Sequence, residues 1–186
     1  MTDEDEREFK SWDKFYDNEL ANFNESGDEG MVWFGKVAEN RMLKFMNGDD
    51  VDKTARIVDL GCGNGSLLRK LVANLCSDEV NPNIARRFDV VLDKGTWDAI
   101  SLGSEDQQQL LDAYCQTVQS LFAVNSVLDQ YFVIISCNFT LDELKSKFAS
   151  SLLRFHKELP AQATFSFGGQ TGQTTSGAVF KVLRSS

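Results

Sequence analysis

Residues 55–66 read Ala-Arg-Ile-Val-Asp-Leu-Gly-Cys-Gly-Asn-Gly-Ser, and this stretch decides the fold. The apolar run Ala55–Leu60 has the length of a buried strand, and Ser66 to Leu75 that follows has helical spacing. Between them, Gly61, Gly63 and Gly65 alternate in a chain that must reverse sharply. Residues without a Cβ permit such a turn and the close approach of a ligand to the backbone. The N–H groups at the start of a helix point at whatever occupies the turn. Strand, glycine loop and helix thus predict a nucleotide-type cofactor site, with Asp59 just before the loop.

Outward from this loop the pattern alternates. Phe88–Leu92 and Tyr131–Cys137 read as further buried strands, and strands near 152–159 and 178–184 close the chain. Ser104-Glu-Asp-Gln107 and Thr140-Leu-Asp-Glu143 are capping-box sequences, the first opening a long helix to about Phe122. Strands alternating with helices predict an α/β fold, a doubly wound and mainly parallel sheet with an antiparallel C-terminal strand. Before the first strand, Trp12, Phe15, Tyr16, Leu20 and Phe23 recur at helical spacing from Ser11 onward, and Val37–Met46 reads as a second helix. Residues 1–10 are read as a disordered acidic tail. Residues 11–186 form one domain, with a helical segment at 11–50 and an α/β core at 55–186.

Composition narrows the classes. The chain has 186 residues, enough for one domain with a real core, and no apolar run reaches the roughly 20 residues a membrane helix needs. Its N-terminus is acidic, the reverse of a signal peptide, which places the protein in the cytosol, with the nucleus as a second compartment. The net charge of −9 argues against nonspecific nucleic-acid binding and favours a basic protein partner. Cys62, Cys76, Cys115 and Cys137 contain no C-x-x-C pair, so neither a metal site nor a disulfide framework is expected. His156, the one histidine, is read as structural.

The glycine spacing differs from the Gly-x-Gly-x-x-Gly dinucleotide fingerprint, and no Gly-Lys-Ser/Thr is present. Asp-x-Gly-x-Gly-x-Gly after a first strand instead resembles the S-adenosylmethionine loop of class I methyltransferases. Four more motifs extend the resemblance. Trp12-Asp13-x-x-Tyr16-x-x-Glu19-Leu20-x-Asn22-Phe23 leads to Gly27-Asp28-x-Gly30-x-x-Trp33-Phe34-Gly35, and Asp93-Lys94-Gly95-Thr96-Trp97-Asp98-Ala99-Ile100-Ser101-Leu102 follows the second strand. Ser136-Cys137-Asn138-x-Thr140 and Phe165-Ser-Phe-Gly-Gly169 complete the set. In this order they resemble the protein-lysine methyltransferases that act on translation elongation factor 1-alpha.

The resemblance implies S-adenosyl-L-methionine as cofactor, held by Asp59, Gly61, Cys62, Gly63, Asn64 and Gly65 with Trp33 and Phe34. It implies a catalytic or amine-orienting Asp93 at the sheet crevice. Lys94, Thr96, Trp97 and Asn138 would meet the substrate, with Trp33, Phe34 and Trp97 shaping an apolar channel around the cation. It implies a monomer acting on a protein substrate, without nucleic acid, membrane or metal. A small-molecule or RNA methyltransferase on the same fold is the third reading. The acidic charge and the lack of Asn-Pro-Pro-Tyr after the Phe88 strand argue against base methylation.

One stretch departs from the family pattern. Only Cys-Ser-Asp-Glu-Val-Asn-Pro-Asn-Ile-Ala-Arg-Arg, residues 76–87, separates the helix near Leu75 from the strand at Phe88. The fold normally places two strands and a helix there, so the sheet should lack its second and third strands. The acid that closes on the cofactor ribose goes with them, and Asp78 and Glu79, the candidates to replace it, are less well placed on a loop. Two lost charged hydrogen bonds, at about 1.5–3 kcal/mol each, predict cofactor binding weaker by roughly a hundred- to ten-thousand-fold. Feeding the helix after the glycine loop straight to the neighbouring strand also predicts a left-handed crossover or a helix that changes faces. The competing reading is therefore a catalytically impaired isoform that keeps a protein-binding role.

Overall fold

The apolar runs around Val58, Val91 and Val133 become three neighbouring parallel strands. A computed structural model describes residues 3–72, 87–102, 107–161, 165–167, 170–172 and 174–183. In chain order its elements are α1 (Asp3–Ser26), α2 (Gly35–Met46), β1 (Ile57–Leu60), α3 (Ser66–Val72), β2 (Val90–Lys94), α4 (Thr96–Ser101) and α5 (Gln107–Leu121). Then come β3 (Tyr131–Ser136), α6 (Leu141–Phe148), β4 (Leu153–Glu158), β5 (Phe165–Phe167), β6 (Gln170–Gly172) and β7 (Ser176–Val182). The main sheet runs β1-β2-β3-β7-β4, and β5-β6 form a separate two-stranded ribbon in the Gly/Thr-rich stretch. β1, β2 and β3 pair in parallel, while β7 is antiparallel to both β3 and β4.

Alternation along each strand divides the core between two faces. Val90 and Leu92 of β2 meet Tyr131, Val133 and Ile135 of β3 on the face covered by α2 and α3, through Ala38, Met42, Phe45, Leu67 and Leu71. Val91, Phe132 and Ile134 face the other way, against Trp97, Leu111, Tyr114, Val118, Leu144 and Phe148 of α4, α5 and α6. The result is a three-layer α/β/α fold in which, among the described residues, β1 has no neighbour on its outer side. This is the expected sheet without its second and third strands.

The crossover expectation takes a definite form. Steps from β1 to β2 and from β2 to β3 run in the same direction across the sheet, yet α3 packs on one face and α5 on the other. Two such steps made by way of their helices have opposite hands, and right-handed ones dominate. Residues 73–86, which complete the first link, lie outside the described residues. So do Asp78, Glu79, and Ser104 with its capping box.

Element boundaries shift in informative ways. The first helix, α1, spans Asp3–Ser26. The expected apolar face of α1 is not buried: Leu20 is 60% and Phe23 50% exposed. Of that face, Phe15 makes contact, lying edge-on to Trp33 at 6.1 Å. At Thr140 the expected capping box is present, with the Glu143 N–H donating to Thr140 Oγ1 at 3.3 Å and the Thr140 N–H to Glu143 Oε2 at 2.8 Å.

Candidate functional site

The C-terminal ends of β1, β2 and β3 open on one side of the sheet, and each ends in a residue that the sequence marked. Register pairs Asp59 with Leu92 and Leu60 with Asp93, so the two acids stand one step apart on adjacent strands. Beyond Leu60 the chain turns through Gly61, Gly63 and Gly65 at φ of 58°, 55° and 71°, all left-handed, where a Cβ is strained. Two of these glycines differ in what surrounds them. Gly61 lies against Thr96, whose hydroxyl donates to the Leu60 carbonyl at 2.6 Å, whereas nothing comes within 4 Å of a Cβ at Gly65.

The segment from α1 to α2 arches over this loop. A Cβ on Gly63 would lie 3.4 Å from Tyr16 Oη and 4.0 Å from the Trp33 ring. Asn64 Nδ2 donates to the Glu29 carbonyl at 2.9 Å, and Arg69 of α3 pairs with the Glu29 carboxylate at 2.9 Å. Glu19 of α1 accepts the Met31 N–H at 3.0 Å, which ties the arch to the first helix. Phe34 adopts a left-handed φ of 61° and lays its ring on Gly95, where a Cβ would lie 3.1 Å from it. Trp33 and Asn64 therefore lie with the three glycines around one turn, and Phe34 sits beside it on Gly95. Cys62 is exposed in the same turn.

Asp93 behaves differently from expectation. It is fully buried, and its carboxylate accepts the Thr96 and Trp97 N–H groups at 2.9 Å each and the Tyr114 hydroxyl. Its carboxylate thereby caps the start of α4. Burial pushes its carboxyl up to about 6 against the pull of those three donors. Trp97, expected in an apolar channel, is also fully buried and packs among Tyr114, Phe139 and Phe148. The first turn of α4 carries it inward, so it offers no face to a substrate.

Lys94 and Asn138 remain at the mouth. Lys94 is half-buried, donates to the Trp33 carbonyl at 3.1 Å, and has its pKa lowered by burial against the opposing pull of Asp59, Glu39 and Asp93. Asn138 is exposed, and its N–H donates to Asp98 Oδ1 at 2.8 Å. Asp98 also accepts the Ser136 hydroxyl at 2.8 Å and the Cys137 N–H at 3.1 Å, so α4 fixes the turn after β3. Asp59 is half-buried, and burial raises its carboxyl to about 7, helped by Asp93 and Glu39 and resisted by Lys94.

Sequence reasoning missed Glu39. It is fully buried on α2, pairs through Oε2 with Lys70 of α3, and leaves Oε1 without a hydrogen-bond partner. A signal existed: Glu39, Met42 and Met46 are spaced i, i+3, i+7, which puts an acid on the apolar stripe. His156 lies away from these residues, on β4, 3.5 Å from Asp50 and beside the Tyr131 ring. A cavity of about 360 Å³ between α2 and the end of β4, lined by Arg41, Phe45 and Leu159, is also separate from the glycine loop. No group of metal-ligating side chains and no helix long and apolar enough to cross a membrane occurs among the described residues.

No protein-family model matches the chain. Individual relatives do. It is similar to the EEF1A lysine methyltransferase 2 of Danio rerio, 30% identical over 91% of this chain and 84% of that protein. The protein-lysine N-methyltransferase efm4 of Schizosaccharomyces pombe is 32% identical over 92% of this chain and 91% of its own length. The human EEF1A lysine methyltransferase 2 is 29% identical over 92% and 84%. These alignments run over 203 to 224 positions, more than the 186 residues of the chain, so the relatives carry residues that it lacks.

Proposed function

The chain belongs to the family of EEF1A lysine methyltransferases and their yeast efm4 counterparts, and on that premise we propose that it methylates a lysine of translation elongation factor 1-alpha with S-adenosyl-L-methionine. The observation that carries the reading is the loop Gly61–Gly65, held at the ends of β1 and β2 beneath the arch of Glu29, Trp33 and Phe34. The donor set suits the cofactor: three glycines in left-handed geometry, acids able to meet a cationic group, and aromatic rings beside them. Asp59, Gly61, Cys62, Gly63, Asn64, Gly65, Trp33 and Phe34 are the residues that would hold it. When bound, S-adenosylmethionine supplies a methyl group activated by a sulfonium.

The protein's own work is positioning and deprotonation. A lysine amine attacks only when neutral, and a free one has a pKa near 10.4 that burial lowers. Lys94 reports that this mouth does so, since burial depresses its own ammonium despite three nearby acids. Lys94, Thr96 and Asn138 would flank the entering lysine, while Asp98 holds the Asn138 turn. The exposed Tyr16, Leu20 and Phe23 of α1 would contact the protein substrate, in a segment whose acidic residues suit a basic surface.

A second reading has its own observation. β1 has no outer neighbour among the described residues, and none of them brings a carboxylate from a following strand to the loop; on this reading the chain is a binding module without turnover. Calorimetry with S-adenosylmethionine separates the two. Saturable binding at micromolar to millimolar ligand supports the enzyme, and none at millimolar ligand leaves the binding module.

A further inference from the structure

We propose that Glu39 is a second carboxylate for the ammonium of the cofactor's amino-acid end, acting with Asp59 at the base of the glycine loop. This rests on the cofactor reading above. The starting point is an unmet acceptor. Glu39 is fully buried, Lys70 engages only its Oε2, and Oε1 has no partner. Buried carboxylate oxygens are nearly always satisfied, because desolvation without a donor is costly. The donor for Oε1 then comes from outside the chain.

The charge of the surroundings says which kind. Among the described residues, Asp59, Glu39 and Asp93 act on Lys94, with Lys70 beside them and Asp98 acting on Asp93, so carboxylates outnumber ammonium groups. The described part of the cluster is short of positive charge when all are ionised. Burial is the main cause of the raised Asp59 carboxyl, and the neighbouring Asp93 and Glu39 add to it. An anion such as a phosphate or carboxylate would worsen the balance. A water would satisfy Oε1 and leave the charge uncompensated. An ammonium brings three N–H donors and one charge, which answers both deficits.

Position agrees with chemistry. Lys94 donates to the Trp33 carbonyl at 3.1 Å, and the Trp33 ring lies against Gly63, so the cluster adjoins the loop itself. α2 brings Glu39 there because Ala38 and Met42 on the same helix are packed into the core. Glu39 is the one acid of α2.

The test is calorimetry on the full chain with three probes: S-adenosylhomocysteine, its analogue without the α-amino group, and 5′-methylthioadenosine, which lacks the amino-acid end. Glu39→Gln should weaken S-adenosylhomocysteine by roughly ten- to a hundredfold, the usual size of one charged hydrogen bond, and leave methylthioadenosine within about twofold. The wild-type protein should lose a similar factor for the deaminated analogue, a comparison that holds even if Glu39→Gln does not fold. Equal binding of S-adenosylhomocysteine and its deaminated analogue by wild type overturns the assignment. So does a Glu39→Gln variant that weakens methylthioadenosine as much as S-adenosylhomocysteine. Wild type that binds none of the probes overturns both this inference and the cofactor reading beneath it.

Discussion

Replacing Gly61 by alanine tests the geometry on which the site depends. Two costs are separable. A φ of 58° is unfavourable for any residue with a Cβ by about 1–2 kcal/mol. The new methyl would also lie 3.3 Å from Thr96 Cβ and 3.4 Å from its Cγ2, and it would overlap the hydroxyl. That hydroxyl then swings away and gives up its 2.6 Å hydrogen bond to the Leu60 carbonyl, a loss of about 1 kcal/mol. The total is about 2–3 kcal/mol, or a fall in melting temperature of roughly 4–12 °C for a chain of this size. Urea denaturation of Gly61→Ala, Thr96→Ala and the double variant measures the terms. Thr96→Ala should cost about 1 kcal/mol alone and almost nothing beside Gly61→Ala, because the bond is already lost. Gly65→Ala, with a φ of 71° and open space around it, should cost only the backbone term of about 1 kcal/mol. If the two single costs simply add, the Thr96 contact is not the cause. If Gly61→Ala stays within about 0.5 kcal/mol of wild type, the turn is not held as described.

Other perturbations address the site's charges and faces. Asp93→Asn leaves one buried donor of α4 unmet and should lower stability by about 1–2 kcal/mol, while methyl transfer measured where the variant is folded stays within about tenfold; a larger drop would restore a catalytic role. Asp59 binds a proton more tightly folded than unfolded, so its contribution to stability is present below about pH 4 and lost as pH rises towards 7. Asp59→Asn should therefore gain on wild type by about 1–3 kcal/mol between pH 4 and pH 8, and a gap that narrows in urea titrations at rising pH would contradict the raised carboxyl. Leu20→Ser with Phe23→Ser should leave stability within about 0.5 kcal/mol and raise the KM for elongation factor 1-alpha with kcat unchanged. An unaltered KM removes this face of α1 from substrate recognition.

Local signals carried most of the architecture. The strand, glycine and helix succession around Asp59 and the Thr140 cap are decided by residues within one turn of each other, and both are legible without tertiary information. The short 76–87 stretch likewise foretold an edge at β1, because a strand and helix need more chain than it holds. Faces were harder. Asp93 ends β2 and Trp97 opens α4 just after it, and only tertiary packing makes one the cap of α4 and the other a core residue. Phe34 at a positive φ has no sequence signature, since its strain is met by packing on Gly95. Glu39 was legible in principle from its place on the Met42–Met46 stripe, but its pairing with Lys70 joins two helices 31 residues apart.

The most direct measurement of the central claim is transfer of an isotopically labelled methyl group from S-adenosylmethionine to elongation factor 1-alpha, with the site located by mass spectrometry. The account expects label on a lysine side chain with the wild-type chain, and less of it when Asp59 is replaced by asparagine. No label above background, under conditions where a full-length relative labels the same protein, would contradict it.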